Sequence, residues 1–293
     1  MRHSLIAALL LALAVPGCAQ AEPPQPLLWK VSDADNSLYL LGSFHLLREG
    51  DYPLAASTDA AFEDAEKVVF ELPPAEMGDP ALGQAMAAAA RIEGGGTLQS
   101  RLPADTWARL QAHAAQRGMA LDFLQAHEAW FVSLVISVTE MQRVGLDPAL
   151  GLDKHFANRA VAGGKAVAGL ETGAQQIAMF DGMDAAQQEQ ALDDVLSDLG
   201  ALEQEINRMH ALWRAGDAET LHAESAAKMK AEYPDLYERL NRGRNLAWLP
   251  RLQALLDESR DDDALVVVGA MHLLGEDGVV ELLRAKGYTV ERL

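Results

Sequence analysis

Two segments at opposite ends of this 293-residue chain share one layout. The apolar run starting at Leu38 leads into Gly42-Ser43-Phe44-His45, and the run starting at Ala264 leads into Gly269-Ala270-Met271-His272. Two further strand-like runs, Lys67 to Phe70 and Ala166 to Ala168, lead into Glu71 and Glu171. Two neutral imidazoles and a carboxylate are a common set for a borderline divalent metal, with one position left open for water. A second carboxylate beside that water would serve as its general base. Which of Glu71 and Glu171 is base and which is ligand stays open at this level. A single Gly-x-x-His carries little weight, since glycine can end a strand and the histidine can sit on the surface. Its recurrence, together with two strands ending in glutamate, is what points to a site.

Such residues act together only if their strands deliver them to one place. Parallel strands of an α/β sheet bring their carboxyl ends to one edge, where ligands bind. Glycine just past a strand lets the chain leave the sheet sharply and lets a ligand approach closely. His45 and His272 are 227 positions apart. The pattern nevertheless predicts that they face one polar pocket within about 5–8 Å of each other, with Glu71 pointing into it. The remaining histidines, His113, His127, His155, His210 and His222, fall in helical stretches and read as helix-surface residues. There is no His-Glu-x-x-His helix, no Gly-x-Ser-x-Gly elbow and no phosphate-binding loop.

The surrounding elements read as α/β: a central mixed sheet whose strands bracket a long helical insertion, about 75–260, interrupted by a strand near 165–171. Apolar runs at Leu27 to Val31 and Leu38 to Leu41 flank Asp33-Ala34-Asp35-Asn36, which predicts a hairpin. Helix formers fill Pro80 to Arg91, Pro103 to Arg117, Leu121 to Arg143, Leu152 to Ala162, Ala185 to Trp213, Ala218 to Lys230 and Leu246 to Glu258. The apolar stretch Ala129 to Val138 carries Ser133 and Ser137 between Glu128 and Glu140, and reads as a core helix, not a membrane span.

With 49% hydrophobic and 23% charged residues, the composition is that of a globular protein. A formal net charge of −19 disfavours nucleic acid and anionic lipid as partners. Arg2, the apolar run from Leu5 to Val15 and small residues after it form the layout of a signal peptide over 1–21, leaving one domain over 22–293. Cleavage after Ala21 is favoured by Ala19-Gln20-Ala21 and gives a periplasmic or secreted chain with no transmembrane anchor. The alternative is a lipid anchor at Cys18, within Val15-Pro16-Gly17-Cys18, although proline fits that box poorly. Cys18 is the only cysteine, so a disulfide framework is excluded.

These residues resemble the TraB/GumN family, which includes the Tiki membrane-tethered metalloproteases. The likeness rests on Gly42-Ser43-Phe44-His45 followed by Pro53-Leu54, on Val68 to Glu71, and on Gly151-Leu152-Asp153. It continues through Gly169-Leu170-Glu171-Thr172 with Gln175-Gln176, Arg244-Asn245, and Val268 to Leu273 with Gly275 and Gly278. It spans roughly Leu28 to Leu293, with Ser43 where many relatives carry threonine. The resemblance implies a fold shared with erythromycin-esterase-like and ChaN-like proteins, and a metal-dependent hydrolase acting on peptide or protein substrates. It implies a divalent ion (Mn²⁺, Co²⁺ or Zn²⁺) held by His45, His272 and Glu171, with Glu71 as general base or further ligand. Arg244 and Asn245 would stabilise an oxyanion or a substrate carboxylate. The same relatives imply two alternatives: a metal-independent hydrolase using His45 and Glu71 as an acid–base pair, and a non-catalytic haem- or metal-binding protein.

Overall fold

The computed structural model describes residues 22–196, 199–257 and 261–293, so the expected leader over 1–21 lies outside the described residues. The apolar runs become strands β1 (Leu28–Ser32), β2 (Ser37–Ser43), β3 (Lys67–Phe70), β4 (Ala166–Gly169), β5 (Ala264–Gly269) and β6 (Thr289–Arg292). They form one mixed sheet in the order β4-β3-β5-β2-β1-β6. Strands β2 and β5 are rich in leucine and valine and buried almost throughout, as central strands covered on both faces must be. The predicted hairpin joins β1 to β2, with Ser32 opposite Ser37. Asp33 closes it by accepting from the backbone N–H groups of Asp35 and Asn36 at 3.1 and 3.2 Å.

The register of the parallel strands sets up the site. Ser43 of β2 lies opposite Gly269 of β5, while Phe70 of β3 lies opposite Val267 of β5 and Gly169 of β4. All four strands run out at the same edge. His45, Glu71, Glu171 and His272 therefore leave the sheet together, as the sequence predicts.

Seven helices build the site and the cores around it: α1 (Ala56–Asp64), α2 (Pro80–Ala89), α3 (Ala129–Arg143), α4 (Leu152–Gly163), α5 (Gly173–Asp181), α6 (Leu199–Ala215) and α7 (Gly243–Asp257). The main core packs the sheet against Phe62 of α1, Phe156 of α4, Trp213 of α6, and Trp248 and Leu252 of α7. Fully burying a side chain of this size contributes roughly 1.5–3 kcal/mol. The apolar helix α3 buries Trp130, Phe131, Val132 and Ile136 in smaller cores within the insertion. No helix among the described residues is long and apolar enough to cross a membrane.

Four expectations need correction. The stretch Leu121 to Arg143 is two helices, Leu121–Gln125 and α3. The break exists because Glu128 N–H donates to Ala90 O at 2.8 Å, and the His127 ring packs on Phe123 and Phe131. The stretch Ala185 to Trp213 likewise divides into Ala185–Val195 and α6. The stretch Ala218 to Lys230 divides at Ser225, whose backbone leaves helical geometry, into Ala218–Glu224 and Ala226–Glu232. Finally, His113, His127 and His210 are buried and not on helix surfaces. Imidazole goes inside when a partner meets its nitrogens: His210 Nε2 lies 2.8 Å from Asp51 Oδ2, and His127 Nδ1 lies 2.8 Å from Phe123 O.

Candidate active site

His45 follows β2 by two residues and turns back over the sheet edge. Its Nδ1 lies 2.9 Å from Asp153 Oδ1, an oxygen that also accepts from Ser43 Oγ at 2.5 Å. A carboxylate only accepts, so Nδ1 carries a proton and Nε2 is left facing Glu71 Oε1 at 3.9 Å. Asp153 reaches this position because Gly151 precedes α4: a Cβ there would stand 2.0 Å from the carbonyl oxygen of His45. Loss of water around the ring lowers the His45 pKa, but the charge and hydrogen bond of Asp153, with the charge of Glu71, raise it by more. The net direction is upward, so a cation arriving at Nε2 must displace a proton. Asp153 belongs to one of the motifs singled out in the sequence, yet no local pattern assigns it this role.

His272 is fixed from the other side. It ends the short turn Ala270–His272 after β5, and its Nδ1 lies 2.7 Å from Asn245 Oδ1. Asn245 Nδ2 donates to Asp277 O at 2.8 Å and to Asn241 Oδ1 at 3.1 Å. That network fixes which end of the amide meets the ring, so His272 Nδ1 donates and Nε2 bears the lone pair. Burial and the nearby Arg244 cation outweigh the pull of Glu71 and lower the His272 pKa to about 3. The ring is neutral. Asn245 is fully buried; it orients His272 and does not reach the pocket, contrary to the expectation that it would meet an oxyanion.

Glu71 and Glu171 are joined by one guanidinium. Arg244 Nη2 donates to Glu71 Oε2 at 2.6 Å and to Glu171 Oε1, while Nε donates to Glu171 Oε2 at 3.2 Å. Its Nη1 donates to His272 Nε2 at 2.9 Å. A π-helical turn, Glu238–Arg242, precedes α7, with Gly243 N–H bonded to Glu238 O. Such a bulge changes which residues of a helix face inward, and here Asn241, Arg244 and Asn245 all point toward the β5 turn. Glu171 also accepts from Gln176 Nε2 at 2.8 Å and Trp248 Nε1 at 3.3 Å. Its oxygens are committed to these donors, so it serves as counter-charge to Arg244 and stands apart from the two imidazoles. Burial alone would raise the Glu71 pKa. The neighbouring His272, Arg244 and His45, with the Gly269 N–H at 2.7 Å, hold it well below the usual carboxylate range. With His272 neutral, the permanent charge of Arg244 carries most of that pull.

The three groups converge around Gly269. Glu71 Oε1 lies 3.9 Å from His45 Nε2 and 3.9 Å from His272 Nε2, so the two Nε2 atoms are at most twice that distance apart, below the upper end of the predicted span. A Cβ on Gly269 would meet His45 Nε2 at 3.1 Å and Glu71 Oε1 at 3.2 Å, which is why glycine stands there. A cavity of about 360 Å³ opens over His45, Glu71, Asp153 and Arg244. Half of the His45 side chain (54%) is exposed against 7% for His272, so an incoming molecule meets His45 first.

The donor chemistry suits a divalent ion between His45 and His272, beside Glu71. Both Nε2 atoms face the same oxygen, and both Nδ1–H groups are held by outer partners, as metal-bound histidines usually are. The lone pair of His272 is now given to Arg244, and among the described residues no three His, Cys, Asp or Glu side chains stand as a ready ligand set. Asp153→Asn is expected to lower turnover about 10–100-fold, because it removes the partner that orients His45. That loss in kcat without a change in melting temperature would support this; full activity would mean that the His45 tautomer is irrelevant.

Comparison with known proteins gives the family. Residues 27–292 match the TraB/PrgY/gumN family. The chain belongs to that family. It is 24% identical over 247 residues to the Escherichia coli (strain K12) "Uncharacterized protein YbaP", covering 84% of this chain and 87% of that protein. It is 27% identical to "Metalloprotease TIKI2" of Danio rerio and 26% identical to "Metalloprotease TIKI1" of Homo sapiens, over 86% and 94% of this chain. The matches cover 58% and 65% of those two longer proteins. No solved structure was found to match. In this chain the two Gly-x-x-His turns meet Asp153, Glu171 and Arg244 at one sheet edge.

Proposed function

We propose that this protein is a metal-dependent hydrolase acting on peptide bonds, exported across the inner membrane by its N-terminal leader. The observation that carries the reading is the meeting of His45 Nε2, His272 Nε2 and Glu71 Oε1 at the open end of four strands. Relatives named as metalloproteases support the reaction class. His45 and His272 are the residues that would hold the ion, with Glu71 beside it as base, in place of the His45, His272 and Glu171 set first expected. When bound, a divalent ion there supplies Lewis-acid chemistry, acidifying water and polarising a carbonyl.

The chain's own groups do the rest. Asp153 holds the His45 ring with Nε2 turned toward the pocket. Asn245 does the same for His272. Glu71, kept ionised by Arg244 and the Gly269 N–H, has an oxygen available to accept a proton from water. Arg244 lies beside that oxygen and stabilises negative charge that develops on a substrate carbonyl.

One observation favours a second reading. Arg244 already occupies the His272 lone pair, and in a metal-free site protonated His45, backed by Asp153, would act as the acid beside ionised Glu71 as the base for water. Turnover tests the hydrolase proposal itself: the purified protein is incubated with a mixture of unstructured peptides, and the products are read by mass spectrometry. New termini that are absent with Glu71→Gln are expected. A wild-type protein that cleaves nothing would overturn the peptidase reading.

A further inference from the structure

The cavity above the catalytic edge has two different sides. Its floor is polar, made by His45, Glu71, Asp153 and Arg244. Its wall is apolar and made by the helical insertion: Met77 from the short helix Pro74–Met77, Met86 from α2, Leu134 from α3, and Met179 and Phe180 from α5. Four separate helices place apolar side chains in one cavity, and three of those side chains are methionine. We infer that this wall is a specificity subsite that takes an apolar side chain of the substrate beside the bond to be cleaved. The inference rests on the hydrolase reading above and names the substrate class of that site.

Three physical points carry it. First, the wall is continuous with the floor, so a peptide whose carbonyl lies against His45 and Glu71 must place a neighbouring side chain on the methionines. Second, about 360 Å³ is at the small end of ligand pockets; it suits one or two residues and not a folded domain. Third, methionine is unbranched and polarisable, and it repacks around different shapes. A wall of three such residues accepts leucine, methionine and phenylalanine alike, which gives preference by class and not for one residue. A carboxylate seated on the methionines would lose its water, and the one polar side chain the wall's helices add to the lining, Gln176, already gives its amide N–H to Glu171, so that burial is costly.

Two measurements on the purified protein test this, one of them independent of turnover. Protein carrying ¹³C-methyl methionine is titrated with N-acetyl-norleucine amide and, separately, with N-acetyl-aspartate amide. The Met77, Met86 and Met179 signals are assigned through single Met→Leu variants, which keep volume. Saturable shifts of those three methyls with the norleucine probe alone are expected. Peptide profiling should then show a preference of about tenfold or more for an apolar over an acidic residue next to the cleaved bond. Absence of methyl shifts, or cleavage indifferent to that side chain, would overturn the subsite. Methyl shifts without any cleavage would support the subsite and overturn the peptidase reading instead.

Discussion

Replacing Glu71 by glutamine is expected to lower kcat by about 10²–10⁴-fold while the fold persists. The Glu71 oxygen that faces both imidazoles accepts from the Gly269 N–H and lines the cavity, whereas the Glu171 oxygens are taken by Arg244, Gln176 and Trp248. Glutamine keeps the shape but cannot accept a proton at neutral pH. It also offers one carbonyl oxygen where Glu71 offers two, so either the Gly269 N–H or Arg244 loses its acceptor. An unpaired buried donor costs about 1–3 kcal/mol; the variant should melt earlier yet give an unchanged circular dichroism spectrum. A variant with wild-type turnover would remove Glu71 from the chemistry.

The second large effect concerns stability and its pH dependence. Arg244→Met keeps the length of the side chain but leaves Glu71 and Glu171 buried without their shared cation. Breaking a buried pair by removing one partner costs about 3–5 kcal/mol, to be read from urea denaturation at neutral pH. The pH slope in the acid range should also flatten. In the wild type the folded pKa of Glu71 lies below its ordinary value of 4.5, so the unfolded chain binds more protons at low pH. Its contribution is present above that value and lost as pH falls below it. In the variant the His45 charge and the Gly269 N–H still oppose burial, but the permanent cation is gone, so the folded pKa of Glu71 moves back toward its ordinary value. Less stability is then lost as pH falls through the acid range. Parallel pH profiles for the two proteins would show that the guanidinium does not govern the Glu71 charge.

The sheet edge was legible in the sequence because it depends on local pattern plus one topological rule. Apolar runs of four to seven residues, each followed by His or Glu, become coplanar once the strands are parallel, and the register Ser43–Gly269 and Phe70–Val267 does the rest. What could not be read were contacts between distant polar side chains. Asp153 sits 108 positions from His45, and nothing in its neighbourhood distinguishes it from an ordinary first-turn aspartate of a helix. Arg244 and Asn245 were expected to meet the substrate as a pair. They divide the work instead, because residues adjacent on a helix point about 100° apart and only one can face the pocket. The π turn ahead of α7 has no sequence signature, yet it helps aim both. The buried histidines were misread for the same reason: a helical position does not reveal whether Asp51 or a backbone carbonyl waits behind it.

The central claim is that His45 and His272 hold one divalent ion between them. Titrating the purified protein with Co²⁺, followed by visible absorption, tests it most directly, because ligand-field bands report nitrogen and oxygen donors around the ion and not merely its presence. The wild type is expected to take up one equivalent per chain, and the His45→Ala, His272→Ala double variant none. Equal uptake by both proteins, or no uptake by the wild type, would contradict the metal site and leave Arg244 as the resident cation of a metal-free hydrolase.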